Sequence, residues 1–322
     1  MRYVGGNLEQ YNNLRKMKKY SIFILVFSIF ISCQSEKKEL ILKLEQGETY
    51  SQFKKSKMTI TQTIAGQQNE TEITIDEHIT YFVKDIQDLY FNIEVNYKSL
   101  SMDIVSPQGN MVMSSENIDE NNVFSIILSE MIDKPFEIKM SKTGIVYDIE
   151  NIEAIHVGAF EKFPYLSEAN IQQIKNQLEQ SYGGNTFKNS LELVTAIFPN
   201  NKVSIGDIWQ IKSHHDSKMP LDIETEFEFK EKSNSYFHIY GKSSIENSDT
   251  KIDLESSEVP MKFDLKGTMN SEIKIDNKNG WIINAKIYQE IKGDALILAN
   301  PQMPESMKIP MIIKTEVVIT DK

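Results

Sequence analysis

From Met261 to Asp276 the chain alternates without a break. Met261, Phe263, Leu265, Gly267, Met269, Ser271, Ile273 and Ile275 take the odd positions, and Lys262, Asp264, Lys266, Thr268, Asn270, Glu272, Lys274 and Asp276 the even ones. A period of two sends the sets to opposite faces of a strand. At about 3.3 Å per residue the run reaches about 50 Å, long for a globular protein. Gly267 in its middle predicts a bend or bulge. "DNKNG" then turns the chain, and Trp281 to Ile291 returns.

The same alternation marks other strands. Leu221, Ile223, Phe227 and Phe229 stand against Asp222, Glu224, Glu226, Glu228 and Lys230. Ile309, Met311, Ile313, Val317 and Ile319 share one face of the last strand, and Met58, Ile60 and Ile64 alternate with threonines near the start. Residues 70–83 and 89–105 form a pair around "DIQD", and "SPQG" (106–109) is a further turn. One dry and one wet face per strand is the pattern of antiparallel sheets.

Helical spacing is confined to the middle. Val123, Phe124, Ile127, Leu128, Met131 and Ile132 line one stripe that ends at Lys134-Pro135. Ser167 caps a second helix with Ile171, Ile174 and Leu178 inward, stopped by Gly183-Gly184. Thr186 is expected to cap a third, with Leu191, Val194 and Ile197 inward. The fold class is therefore mainly β: long antiparallel strands in one or two curved, half-barrel-like sheets, with a few central helices packing on the apolar face.

Short matches suggest two related units. "QGETY" (46–50) and "IGDIW" (205–209) both read Gly, acid, any residue, aromatic. "FEIKMSKTGIVYDI" (136–149) and "SEIKIDNKNGWIIN" (271–284) share Glu-Ile-Lys, a polar Gly turn and a β run. This divides the folded body into a first β-rich unit (40–160), a helical connection (161–205) and a second β-rich unit (206–322).

The N-terminus carries an address. In "MKKYSIFILVFSIFISCQSEKKE", Lys18 and Lys19 precede an uncharged apolar run from Ser21 to Ile31, too short to cross a bilayer core of about 30 Å. The only cysteine, Cys33, follows it directly. "FISC" resembles the lipobox of bacterial lipoproteins, with Phe30 in place of the usual Leu. The resemblance implies a signal peptide at 17–32, lipid attachment at Cys33 as the first mature residue, and a tether at 33–39. Residues 1–16 fit no signal and are expected to be an overlong start, with Met17 the initiator.

"GETY", "ITQTIAGQ", the "SKTG" hairpin and "IFPNNKVSIGDIW" together resemble a family of bacterial β-rich lipoproteins of unknown function. The resemblance spans Leu40 to the end and implies an anchored, sheet-dominated body without supplying catalytic residues.

Charge narrows the partners. The formal net charge is −11, and residues 1–33 contribute +4 of opposite sign, so the rest carries −15. Such a body repels nucleic acid. The lone cysteine excludes an intrachain disulfide framework.

Candidate chemistry is sparse. His214 and His215 point to opposite faces of any strand, and His78, His156 and His238 are scattered. Glu224, Glu226 and Glu228 read as one solvated strand face. "YGGNT" lacks the Lys of a phosphate loop. Met303, Met307 and Met311 recur every four residues, but Pro304 and Pro310 interrupt any helix, so they read as core; Met102, Met111 and Met113 read as core or pocket lining.

These readings place the chain in the cell envelope, at the outer membrane, held by lipid on Cys33. No catalytic residue, metal site or cofactor is assigned, and the chain is read as a non-enzyme. The expected role is a binding protein for a hydrophobic ligand. The alternative is a structural or interaction module for an envelope protein or glycan.

Overall fold

The computed structural model describes residues 37–119, 122–215, 219–248, 261–299 and 304–322. Cys33, the signal segment and Met303 lie outside them. Lys38–Lys322 form one compact unit.

Twelve strands make one curved antiparallel sheet. In chain order they are β1 (Thr49–Ile64), β2 (Gln67–Ile86), β3 (Tyr90–Ser106), β4 (Gly109–Ser114), β5 (Phe136–Ser141), β6 (Val146–Glu150), β7 (Ile208–His215), β8 (Leu221–Lys232), β9 (Tyr236–Asn247), β10 (Met261–Asp276), β11 (Ile282–Ile297) and β12 (Met307–Thr320). The sheet order is β6-β5-β3-β2-β1-β12-β11-β10-β9-β8-β7, with β4 and β5 sharing the outer side of β3. Each half is a meander, and the first and last strands meet in the middle, Phe53 opposite Thr320.

Local sequence explains the turns. Ala65 and Gly66 both have positive φ, 51° and 80°, the pair that a two-residue hairpin matched to strand twist requires. That turn sets Ile64 opposite Gln67 and fixes every β1–β2 partner behind it. Gly267 is not a bulge. It pairs with Ile291 in unbroken register, and a Cβ there would meet the Glu290 carbonyl at 2.5 Å. The β10–β11 irregularity falls instead between Lys274 and Ile275.

Helices α1 (Val123–Met131), α2 (Glu168–Tyr182) and α3 (Gly184–Thr195), with a 3₁₀ segment at Ile152–Lys162, cover the apolar face at one end. Asn122 caps α1 and Ser167 caps α2. Thr186 does not cap α3: the helix begins two residues earlier, and the Thr186 hydroxyl donates to the Gln180 carbonyl, 2.9 Å. α3 latches onto the β5–β6 hairpin. Thr195 Oγ1 donates to Gly144 O (2.7 Å), and Val146 N–H donates to the Glu192 carboxylate (2.7 Å), satisfying one amide of the edge strand.

The same backbone devices recur in both halves. Gly47 N–H donates to Val83 O (2.9 Å) and Val83 N–H to Glu48 O (3.0 Å); Gly206 and Phe229 with Asp207 repeat this at 2.8 and 3.1 Å. A bulge follows Val83 in β2 and Phe229 in β8. Opposite Lys139–Met140 of β5 and Lys274–Ile275 of β10, the partner strands β6 and β11 each carry an extra residue, Tyr147 and Ile283. The Lys139 ammonium sits over the Tyr90 ring at 3.9 Å, and that of Lys274 over Tyr236 at 4.8 Å. The turn glycines Gly144 and Gly280 share a left-handed φ of 81° and 75°. Before β1 the chain straps both hairpins: Leu42 N–H donates to Lys142 O and Lys43 N–H to Asn279 O. Leu40, Leu42 and Leu44 are buried beneath it.

Candidate functional site

The strand registers divide every strand into an inner and an outer set. The outer set carries complementary charge. Lys55 meets Asp76 at 3.1 Å, Lys57 meets Glu72 at 2.8 Å and Lys308 meets Asp294 at 2.8 Å. The inner set is mainly apolar and faces the helices where they cover it. All nine strand methionines belong to it: Met58, Met102, Met111, Met113, Met140, Met261, Met269, Met307 and Met311. Chance alternation would divide them between faces. Thioether side chains are unbranched and polarizable, and they adapt to irregular apolar partners.

Burial along this face is graded. Where α2 and α3 cover it, Tyr81, Tyr97 and Ile319 are nearly inaccessible. Farther along the strands, Met58, Ile60, Ile64, Ile73, Ile75, Met102 and Ile104 are only half-buried, and Met111 is 46% exposed. Across the seam Phe263, Ile297 and Met307 are likewise half-buried. The result is a band of Met and Ile that the helices leave partly open.

A polar pocket sits at the boundary between the covered and open parts. Gln52, Lys54 and Glu77 line it from the sheet, and Ser181, Thr186 and Ser190 from the helices. Its volume is about 30 Å³. Lys54 Nζ lies 2.7 Å from the Glu77 carboxylate and donates to Ser190 Oγ at 2.8 Å. Tyr81 OH donates to Gln52 Oε1 at 3.1 Å. Gln52 Nε2 and Tyr182 OH, both buried, have no hydrogen-bond partner among the described residues. Burial, and then the Glu77 charge, push the Tyr81, Tyr97 and Tyr182 phenols well above their ordinary range, so all three stay protonated.

The residues singled out from sequence do not converge. His214 Nδ1 pairs with Asp222 at 2.8 Å on the outer face of edge strand β7, while His215 points inward. His78 stacks on Phe53 with ring centroids 4.0 Å apart, and His156 sits on the 3₁₀ segment. Glu224 pairs with Lys212 and Glu228 with Lys230 on the solvated face. Met307 and Met311 share the inner face of β12, with Pro310 on the outer face beside them. Among the described residues no three His, Cys, Asp or Glu side chains form a metal cluster. Sequence reasoning missed Gln52, Lys54 and Glu77. The signal was available in the Ala65-Gly66 turn, which places Lys54 opposite Glu77 and both at inner-face positions.

The family of unknown function DUF6263 matches residues 88–282, from the β2–β3 hairpin to the start of β11. The chain belongs to that family. Most of the pocket's sheet wall, contributed by β1 and β2, precedes the matched DUF6263 region, as do "GETY" and "ITQTIAGQ"; "SKTG" and "IFPNNKVSIGDIW" fall within it. None of the curated proteins matches this DUF6263 chain. Among solved structures it is similar in fold to lipovitellin, in a structure describing lipid–protein interactions, with a TM-score of 0.50 and 8% identity. That match covers 87% of this chain and 25% of the lipovitellin chain, so the DUF6263 chain spans about a quarter of its length. An outer membrane channel from Pseudomonas putida F1 aligns over 86% of this chain and 97% of its own, at 8% identity and a TM-score of only 0.25.

Proposed function

We propose that this protein is a non-catalytic, lipid-anchored envelope protein that holds a hydrophobic ligand on the open Met/Ile band of its inner face. The observation that carries the reading is the grading of that face. The helices bury one end, and the other presents half-buried Met58, Ile73, Ile75, Met102 and Ile104 on a surface otherwise polar outside. Apolar area left partly in water gains about 25 cal/mol per Å² when a hydrocarbon covers it. The likeness in fold to lipovitellin, whose solved structure concerns lipid–protein interactions, supports the same ligand class. The anchor is Cys33, after the signal segment of 17–32 with its short apolar run from Ser21 to Ile31.

Native mass spectrometry of the full chain, purified gently from its own envelope, tests this. The expected result is a mass excess that releases lipid on organic extraction. A chain carrying only its covalent modification, and taking up no added apolar probe, would refute the reading.

One observation favours an interaction module. Ile145 and Tyr147 stand 40% and 65% exposed at edge strand β6. Crosslinking from a photoreactive residue at position 147 in whole cells separates the two readings: a specific protein adduct supports the module, and its absence leaves the ligand reading alone.

A further inference from the structure

The polar pocket and the apolar band are continuous along the strands. Inner-face neighbours on β1 run Gln52, Lys54, Ser56, Met58, each step about 7 Å. Ser56 lies opposite Ile75, which lies opposite Met102. A molecule on the open band that extends two inner-face steps beyond Ser56, across the Lys54–Glu77 row, brings one end to Gln52.

The pocket's chemistry limits that end. The Lys54 and Glu77 charges cancel within the site, so it does not call for a further ion. The Gln52 carbonyl is already engaged by Tyr81, which leaves its amide NH₂ as the free function. Gln52 is 3% exposed, so those donors cannot turn to bulk water. A buried donor without a partner is destabilising, and a ligand oxygen that accepts from it removes that penalty. The volume, about 30 Å³, admits one or two groups the size of a water molecule. A carbonyl oxygen fits; a phosphate or a sugar does not.

We propose that Gln52 Nε2 donates to the carbonyl of a neutral fatty acyl ester with a head no larger than a methyl group, whose hydrocarbon lies along the Ser56–Ile75–Met102 and Met58–Ile73–Ile104 rows. The inference rests on the hydrophobic-ligand reading above and names its ligand class. A free carboxylate is disfavoured because it brings a second negative charge beside Glu77.

The full chain, equilibrated with an equimolar mixture of methyl oleate and its ether analogue, oleyl methyl ether, gives the test. The two differ in mass, so native mass spectrometry reads their competition directly. The expected ester-to-ether ratio is about ten to one. In Gln52→Glu, which keeps an oxygen for Tyr81 and loses the NH₂, the ratio among bound molecules should fall to about one. Met58→Asp should lower occupancy by both. Equal uptake of ester and ether by the unaltered chain overturns the ester assignment and leaves the hydrophobic-ligand reading standing. Uptake of neither overturns both. If Gln52→Glu fails to fold, as judged by its thermal melt, the competition on the unaltered chain still decides.

Discussion

Lys54 and Glu77 are register partners on β1 and β2, and their charges meet at 2.7 Å on the inner face, where the side chains are 18% and 8% exposed. Comparable pairs such as Lys55–Asp76 lie on the solvated face. Removing one partner from a largely buried pair strands the other charge. Glu77→Leu should therefore lower unfolding free energy by roughly 3 kcal/mol, and adding Lys54→Met should restore most of it. Urea melts of the single and double variants check this.

Two turn glycines alike in conformation differ in surroundings. Gly144 and Gly47 both have left-handed φ, 81° and 85°. A Cβ at Gly144 would lie 1.9 Å from the Thr195 carbonyl, while one at Gly47 meets nothing within 4 Å. Gly47→Ala should cost about 1 kcal/mol, from backbone conformation alone. Gly144→Ala should cost at least about 3 kcal/mol, because α3 must lift off the hairpin it latches. Similar denaturation midpoints for the two variants would contradict the latch.

His215 and His156 set a pH dependence. Burial lowers both below the ordinary value of 6.5, with the His214 and Lys175 charges acting in the same direction. Each is neutral in the folded state and takes up a proton more readily when unfolded. Stability from these groups is therefore complete above about pH 6.5 and is lost as pH falls through that value towards the folded pKa. Denaturation midpoints at pH 7.5 and 5.5 should show the drop, and His215→Asn with His156→Asn should reduce it.

Membrane attachment should depend on one sulfur. Cys33→Ser is expected to move the protein from the membrane fraction to the soluble fraction and to abolish palmitate incorporation. Fractionation with metabolic labelling measures both, and retention of a serine variant at the membrane would overturn the anchor.

The alternating runs made the strands legible. β10 begins and ends at Met261 and Asp276, where the pattern begins and ends. β11 continues six residues past Ile291, to Ile297, because pairing with β12 sustains a strand whose own alternation weakens at Gly293. The helices were legible by spacing, but the start of α3 was not: Gly183 and Gly184 read as a stop, yet they only break the axis between two helices. The 3₁₀ segment at Ile152–Lys162 escaped notice, since Ala154, Val157 and Phe160 add apolar positions to the Ile152, Ile155 and Ala159 stripe and blur its contrast. The matching Glu-Ile-Lys and Gly-acid-aromatic fragments fall at the bulges and glycine turns that recur in both halves, where backbone geometry restricts the choice of residue. Gln52 and Lys54 stayed hidden because a strand rich in Lys and Thr shows little contrast between its faces, and only the register assigns them inward.

The pairing of β1 with β12 governs how the molecule is made. A chain emerging from its N-terminus completes β1 early, yet that strand's second neighbour is β12, whose Val317 and Thr320 follow every other described strand in the chain. Until they arrive, the flank of β1 is an unprotected template for another chain. Closure joins residues far apart in sequence, which slows folding. A protein lacking the fourteen residues of β12, Met307–Thr320, would be split through its centre, leaving two meanders with nothing to zip them together.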